Sequence, residues 1–271
     1  MATTTDAPNS TLASSPHDIE KGSFHHVEHG GRPPIQLTPE QYEKLFLQPG
    51  GKALPQGFST RFGNPTPVGL ASFLLALTPT GCYLMQWGGA SATSLITAVG
   101  PYYFIGGLGQ IIAGVMEWVA GNTFPSVVFI TFGGFFLSLG NLNDPQVNVA
   151  TASGGATAVP YTDGLMFYFA FWAVMSFTYF ITALRTNVAF VGIFFFLVLT
   201  FALLAAGYAK LGDADASTAI ALLKGAGAFA FVTCVIGWYL LAALIFAVVD
   251  MPFSFPVGDL SGFLARRSSV V

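Results

Sequence analysis

Charged side chains are scarce in this sequence, at 8% of 271 residues, where a soluble domain carries about 25%. Too few are present to build a water-facing surface, which excludes an ordinary soluble globular protein. Histidine is nearly as rare. His17, His25, His26 and His29 are the whole set, and none falls in an apolar stretch, so no histidine relay can run through a membrane. Cys82 and Cys234 stand alone in apolar runs, without CxxC or Cys/His spacing, which argues against a metal centre and for two free thiols. No basic run marks a nucleic-acid surface, and a net charge of −3 identifies no partner. No nucleophile–base set stands in the apolar segments, so neither catalysis nor a cofactor is expected.

What fills the sequence instead is apolar. Hydrophobic residues make up 53%, with 27 Phe and 31 Gly. Glycine at this level suits membrane helices, whose backbones approach closely where side chains are small. A helix needs about 20 apolar residues to cross the hydrocarbon core. Six segments qualify: 66–86, 97–118, 124–141, 163–184, 189–210 and 226–249. The expected architecture is therefore an all-α integral membrane protein, a six-transmembrane-helix bundle over 63–250. Pro79 should kink the first span, and Gly133-Gly134 should bend the third or pack closely there. Residues 1–62 form a polar tail without the apolar stretch of a signal peptide, largely disordered. A short helix is expected at 39–47, with Thr38 as cap, Pro39 at its first position and Gln41 completing the capping spacing. Residues 251–271 form a second tail.

Positive charge sets the orientation. Lys21, Arg32, Lys44, Lys52 and Arg61 precede the first span, Arg185 follows the fourth, and Arg266 and Arg267 follow the sixth. Only Lys210 and Lys224 fall on the opposite side. Both termini should be cytosolic, which leaves the sequon at Asn9 unmodified. Small residues recur at four-residue spacing in Gly109/Ala113, Ala202/Ala206 and Ala226/Ala230/Cys234, and are read as packing within one bundle.

The segment Asn64-Pro65-Thr66-Pro67-Val68-Gly69-Leu70 carries the most information. Pro65 and Pro67 cannot donate, which suits a helix start where donors lack partners anyway. Asn64 can cap that start. A helix N-terminus also attracts anions, although a merely stiff start to the first span explains the same residues. This segment resembles the NPxPxGL signature of the acetate uptake transporter (AceTr) family. A second block is similar to that family too, from Gly106-Gly107-Leu108-Gly109-Gln110 through Ala113-Gly114 and Glu117 to Gly121-Asn122-Thr123-Phe124. So are Leu184-Arg185-Thr186-Asn187 and Pro256-Val257-Gly258-Asp259-Leu260-Ser261, which resemble fungal members.

The resemblance implies a six-helix protomer enclosing a narrow path, assembled into a ring-shaped homo-oligomer, a homo-hexamer. It implies acetate and other small monocarboxylates as substrates, with protons as a second partner, across the lipid bilayer of a plasma membrane. Matched by motif offset, the family's hydrophobic constriction falls on Phe73, Phe132 and Leu197. Phe132 stands where bacterial relatives have Tyr. Phe194 lies outside this set and serves as the expected comparison. The substrate path is expected at Asn64, Pro65, Pro67, Gly69, Leu70, Gln110 and Glu117. Glu117 is the one acidic residue well inside an apolar span, a placement that marks a pathway or a pair, with Arg185 a candidate partner. Gln110 can bond a carboxylate or a neighbouring helix. Ammonia or ammonium export, or a membrane sensor with a regulatory tail, are the alternative functions.

Overall fold

The computed structural model describes residues 63–253 and 255–260. The helix expected at 39–47, the rest of the amino-terminal tail and the residues beyond 260 lie outside the described residues.

Among the described residues, five helices are long and apolar enough to cross a membrane. They are α1 (Thr66–Leu84), α3 (Thr123–Asn143), α5 (Val159–Ala183), α6 (Val188–Gly212) and α7 (Ala216–Val248). The second expected span, 97–118, is built differently. It runs through a 3₁₀ stretch, Ala92–Ala98, a π-helical segment, Pro101–Gly109, and only then an α-helix, α2 (Gln110–Val119). A short helix, α4 (Val149–Ala152), lies in the connection before α5.

Local chemistry explains most boundaries. Pro67 sits in the first turn of α1, and the amide of Thr66 donates to Asn64 Oδ1 at 2.9 Å. The cap position itself is Pro65, so Asn64 lies one residue outside the cap and bonds the first helical amide from there. α1 continues through Pro79 as one helix. Asn187 Oδ1 accepts from the amide of Phe190 at 2.9 Å and starts α6. Asp215 Oδ1 accepts from the amide of Thr218 at 3.2 Å and starts α7, and hydrogen bonds from Thr218 hold its carboxyl below the usual range. That cap corrects the last expected span. α7 begins at Ala216 rather than 226, and Lys224 lies inside a helix of 33 residues.

Successive helices pack in order: α5 on α6, α6 on α7, α7 on α1, α1 on the π segment and α2, and these two on α3. The α1–α7 crossing brings Gly81 against Gly227 so closely that a methyl group on Gly227 would lie 2.9 Å from Gly81 O and 3.0 Å from Met85 N. Ala226, Ala230 and Cys234 are buried on α7, as the packing reading requires. The Ala202/Ala206 pair does not follow it, since Ala202 is exposed while Ala205 and Gly207 are buried. Both cysteines are free thiols.

α3 meets α5 through ring contacts. Trp172 lies 5.4 Å from Phe132 and 4.8 Å from Phe135 between ring centroids. The Tyr179 and Thr131 hydroxyls bond at 2.8 Å across the same seam.

After α7 the chain pairs with the α5–α6 corner. The amide of Val188 donates to Gly258 O at 2.9 Å and that of Leu260 to Thr186 O at 3.0 Å, an antiparallel bridge between Asn187 and Asp259. The Tyr239 hydroxyl donates to Pro256 O at 2.7 Å. Two separate sequence blocks, Leu184–Asn187 and Pro256–Leu260, are thus a single structural feature.

Candidate functional site

The residues singled out in the sequence fall into two groups along the bundle. One group gathers where α1 begins and α2 ends. Thr66 Oγ1 donates to Glu117 Oε1 at 2.5 Å, and Asn122 Nδ2 donates to Glu117 Oε2 at 2.7 Å. Glu117 is fully buried and is the one buried acidic or basic side chain among the described residues. Its two bonds tie the start of α1 to the end of α2 and the start of α3. Arg185 does not join them, and its Nε is buried without a hydrogen-bond partner among the described residues. The candidate partner Arg185 is thus not the one that holds Glu117; two neutral donors are.

Gly69 and Leu70 continue inward from this clamp. Gly69 lies against Phe129, whose ring atoms would stand 2.7 Å from an added methyl group. Leu70 is buried.

The second group is a layer of rings deeper in the bundle. Phe73 meets Phe132 edge to face, with centroids 5.5 Å apart at 76°. Phe132 also stacks on Phe201 at 6.4 Å. Leu197 is 1% exposed and belongs to the same apolar cluster as Phe73 and Phe132. Phe194 is 2% exposed, so it does not serve as a lipid-facing comparison. It faces inward, as residue 197 does, because three residues separate them on α6.

Gln110 begins α2 and is fully buried. Its Nε2 donates to Gly106 O at 2.8 Å. A carbonyl only accepts, so the nitrogen must face it and the oxygen must point elsewhere. Gln110 Oε1 is buried without a hydrogen-bond partner among the described residues. Tyr102, Gly106, Gln110, Ala113 and Glu117 are all buried along the π segment and α2, which forms one inward stripe.

A cavity of about 60 Å³ lies beyond the ring layer, toward the ends of α1 and α3. Leu77, Leu197 and Phe201 are among its apolar walls. Its polar lining is Thr80, Tyr102, Asn143, Tyr161, Thr200 and Tyr208. None of its lining residues is acidic, basic or histidine. The sequence reading missed these hydroxyls. A lone Thr or Tyr in an apolar span commonly bonds its own helix, as Thr80 and Thr200 do, so residue type alone carries no signal for a site.

A comparison with known families decides the kinship, because the profile of the GPR1/FUN34/yaaH family matches residues 46–262. The chain belongs to this family. It is the family whose motifs the acetate uptake transporter resemblance rests on. Among its relatives is the protein alcS of Aspergillus fumigatus, 36% identical over 99% of this chain and 100% of that protein. The acetate transporter protein patA of Aspergillus clavatus is 34% identical over 76% of this chain and 82% of its own length. The fold is shared with the solved structure of the bacterial acetate channel SatP, at a TM-score of 0.59 and 24% identity over 73% of this chain and 99% of that one.

Proposed function

We propose that this family member carries acetate and other short monocarboxylates across the plasma membrane, with both termini in the cytosol. The observation that carries the reading is the small uncharged cavity bounded by Leu197 and lined by hydroxyls, in a chain related to an acetate transporter protein. About 10–15 Å³ of such cavity volume holds one water, so the cavity has room for a solute of a few heavy atoms. Walls without charge suit a solute that brings its own proton.

In this reading Phe73, Phe132 and Leu197 form a dry gate. Such a constriction stops hydrated ions by dewetting and opens when side chains move. The path continues from the gate past Leu70, Gly69 and Gln110 to the start of α1 at Asn64, Pro65 and Pro67. The unpartnered Gln110 Oε1 offers a hydrogen-bond acceptor along it. Glu117 shapes this end of the path, since both its oxygens are held within the chain.

The π segment and α2 supply the sixth crossing. The ten residues of α2 contribute about 15 Å at 1.5 Å per residue, and the π segment Pro101–Gly109 adds a shorter rise per residue toward the roughly 30 Å of hydrocarbon. Six crossings keep both termini on one side. Exposed apolar residues on α5, such as Phe167, Phe171 and Val174, suit lipid or neighbouring protomers, and a homo-hexameric ring is the assembly proposed.

Purified full-length protein in liposomes should take up labelled acetate, faster when the outside is acidic. Release of ammonia from the same vesicles without acetate uptake would overturn the reading. Cross-linking in membranes should stop at six protomers, and a ladder ending earlier removes the hexamer.

A further inference from the structure

We infer that the cavity beyond the ring layer is a binding site for the undissociated carboxylic acid, with the acid's own O–H as the group recognised. The inference rests on the transport reading and adds the site and the species bound.

Proton bookkeeping on the cavity wall fixes what Thr80, Tyr102 and Thr200 can offer. Thr80 has one proton, and its Oγ1 donates that proton to Ala76 O at 2.7 Å. The Thr80 and Tyr102 oxygens lie 2.7 Å apart. Because Thr80 has no second proton, Tyr102 is the donor in that pair. Tyr102 therefore presents only a lone pair to a ligand. Thr200 is constrained in the same way, since its Oγ1 donates to Phe196 O at 2.9 Å. One side of the cavity, contributed by α1, the π segment and α6, is thus made of acceptors.

The donors on the wall are the hydroxyls of Tyr208 and Tyr161 and the second Nδ2 proton of Asn143, whose other proton goes to Leu139 O at 2.8 Å. Tyr208 is the one that shares α6 with Thr200. Its hydroxyl holds no hydrogen bond among the described residues, and its ring stacks on Phe169 at 5.5 Å. It is free to donate. A protonated carboxylic acid has one O–H to give to Tyr102 or Thr200 and one C=O to accept from Tyr208. A carboxylate has only acceptors, and it would meet lone pairs at Tyr102 and Thr200. The titratable groups on the wall are Tyr102, Tyr161 and Tyr208, and no cation is present there to offset a bound anion. An unpaired ion in such surroundings is strongly disfavoured.

The test uses wild-type protein in liposomes and two neutral-versus-charged probes of acetate size. Acetamide is neutral and offers both N–H and C=O, whereas methanesulfonate is a permanent anion with acceptors only. Acetamide should slow labelled acetate uptake, and methanesulfonate at the same concentration should not. KM expressed as undissociated acid should stay constant as pH moves through the acid's own pKa. Tyr208→Phe keeps the ring on Phe169, and Thr200→Val keeps the shape of the side chain. Each should raise KM for acetate about threefold to tenfold, the range expected for one hydrogen bond, and the inhibition constant of acetamide should rise with it. Competition by methanesulfonate without competition by acetamide would overturn the inference, as would a KM constant in total acetate. Unchanged KM in both variants would also overturn it. Vesicles that carry no acetate at any pH would instead overturn the transport reading on which it rests.

Discussion

Both oxygens of Glu117 accept hydrogen bonds from within the chain, and this separates two roles that its place in the sequence leaves open. Glu117→Gln can keep the Thr66 bond, and the Asn122 amide can turn to accept from the new nitrogen. We expect that variant to reach the membrane and to keep the wild-type pH profile of acetate uptake. A flattened profile would make Glu117 the coupling group. Glu117→Ala leaves the buried Thr66 hydroxyl without a partner, at about 1–3 kcal/mol, and frees the half-buried Asn122 amide, so its surface level should fall below that of Glu117→Gln on a surface-biotinylation blot. A carboxylate in an apolar run advertises a partner or a path, and that much was legible. The partner was not, because Thr66 lies 51 residues earlier and meets Glu117 only once α1 packs on α2. Arg185 was the obvious charge complement, yet neutral donors hold the site. The ring layer makes its own residue-scale prediction. Phe73→Ala and Leu197→Ala should each raise the uptake of lactate relative to acetate several-fold, by opening a gap on the path. Phe171→Ala is the proper comparison, since Phe171 is 72% exposed. An unchanged ratio in both gate variants, at equal surface levels, would place the constriction elsewhere.

Helix positions were readable from hydropathy to within a few residues for α1, α3, α5 and α6, because an apolar run of membrane length has few alternatives. Two elements escaped. α7 starts ten residues before the expected span, since Lys224 interrupted the apolar pattern while the true start is the Asp215 cap. Segment 97–118 read as one uniform helix, whereas its first half is π-helical. π and α turns use the same residues, and what favours one is packing that no local pattern encodes. Here Gly106 fits against Ala76 and Phe136, where a methyl group would come within 2.7 and 2.9 Å. The π register also sets the angle between Tyr102 and Gln110. Deleting the exposed Leu108 should rotate Tyr102 by about 100° relative to Gln110. The deletion variant should insert normally and lose most acetate uptake. Full uptake would mean that the π register has no part in the path. At the α1–α7 crossing, Gly227→Leu should force two backbones apart, a kind of overpacking that costs about 1–3 kcal/mol. Thermal melting in detergent should fall by about 2–4 °C for each kcal/mol lost.

At the scale of the whole molecule, the sequence makes its strongest statement about sidedness. Lys and Arg cluster at both termini and at the α5–α6 corner, so tags on either terminus should be protected from protease in intact cells. Glycosylation of Asn9 in the native chain would reverse the orientation. The bridge between Asn187 and Asp259 belongs to this scale too, and it bears on how the protein is made. The α5–α6 corner leaves the ribosome some seventy residues before Gly258 and Leu260, yet its Val188 amide and Thr186 carbonyl find their partners only in those later residues. Until those residues are made, that corner is an open hem. A chain cut short after α7 would hold every crossing helix and still expose two unpaired backbone groups beside a buried Asn187. The membrane domain is thus closed by a seam whose second edge is made only after its last long helix.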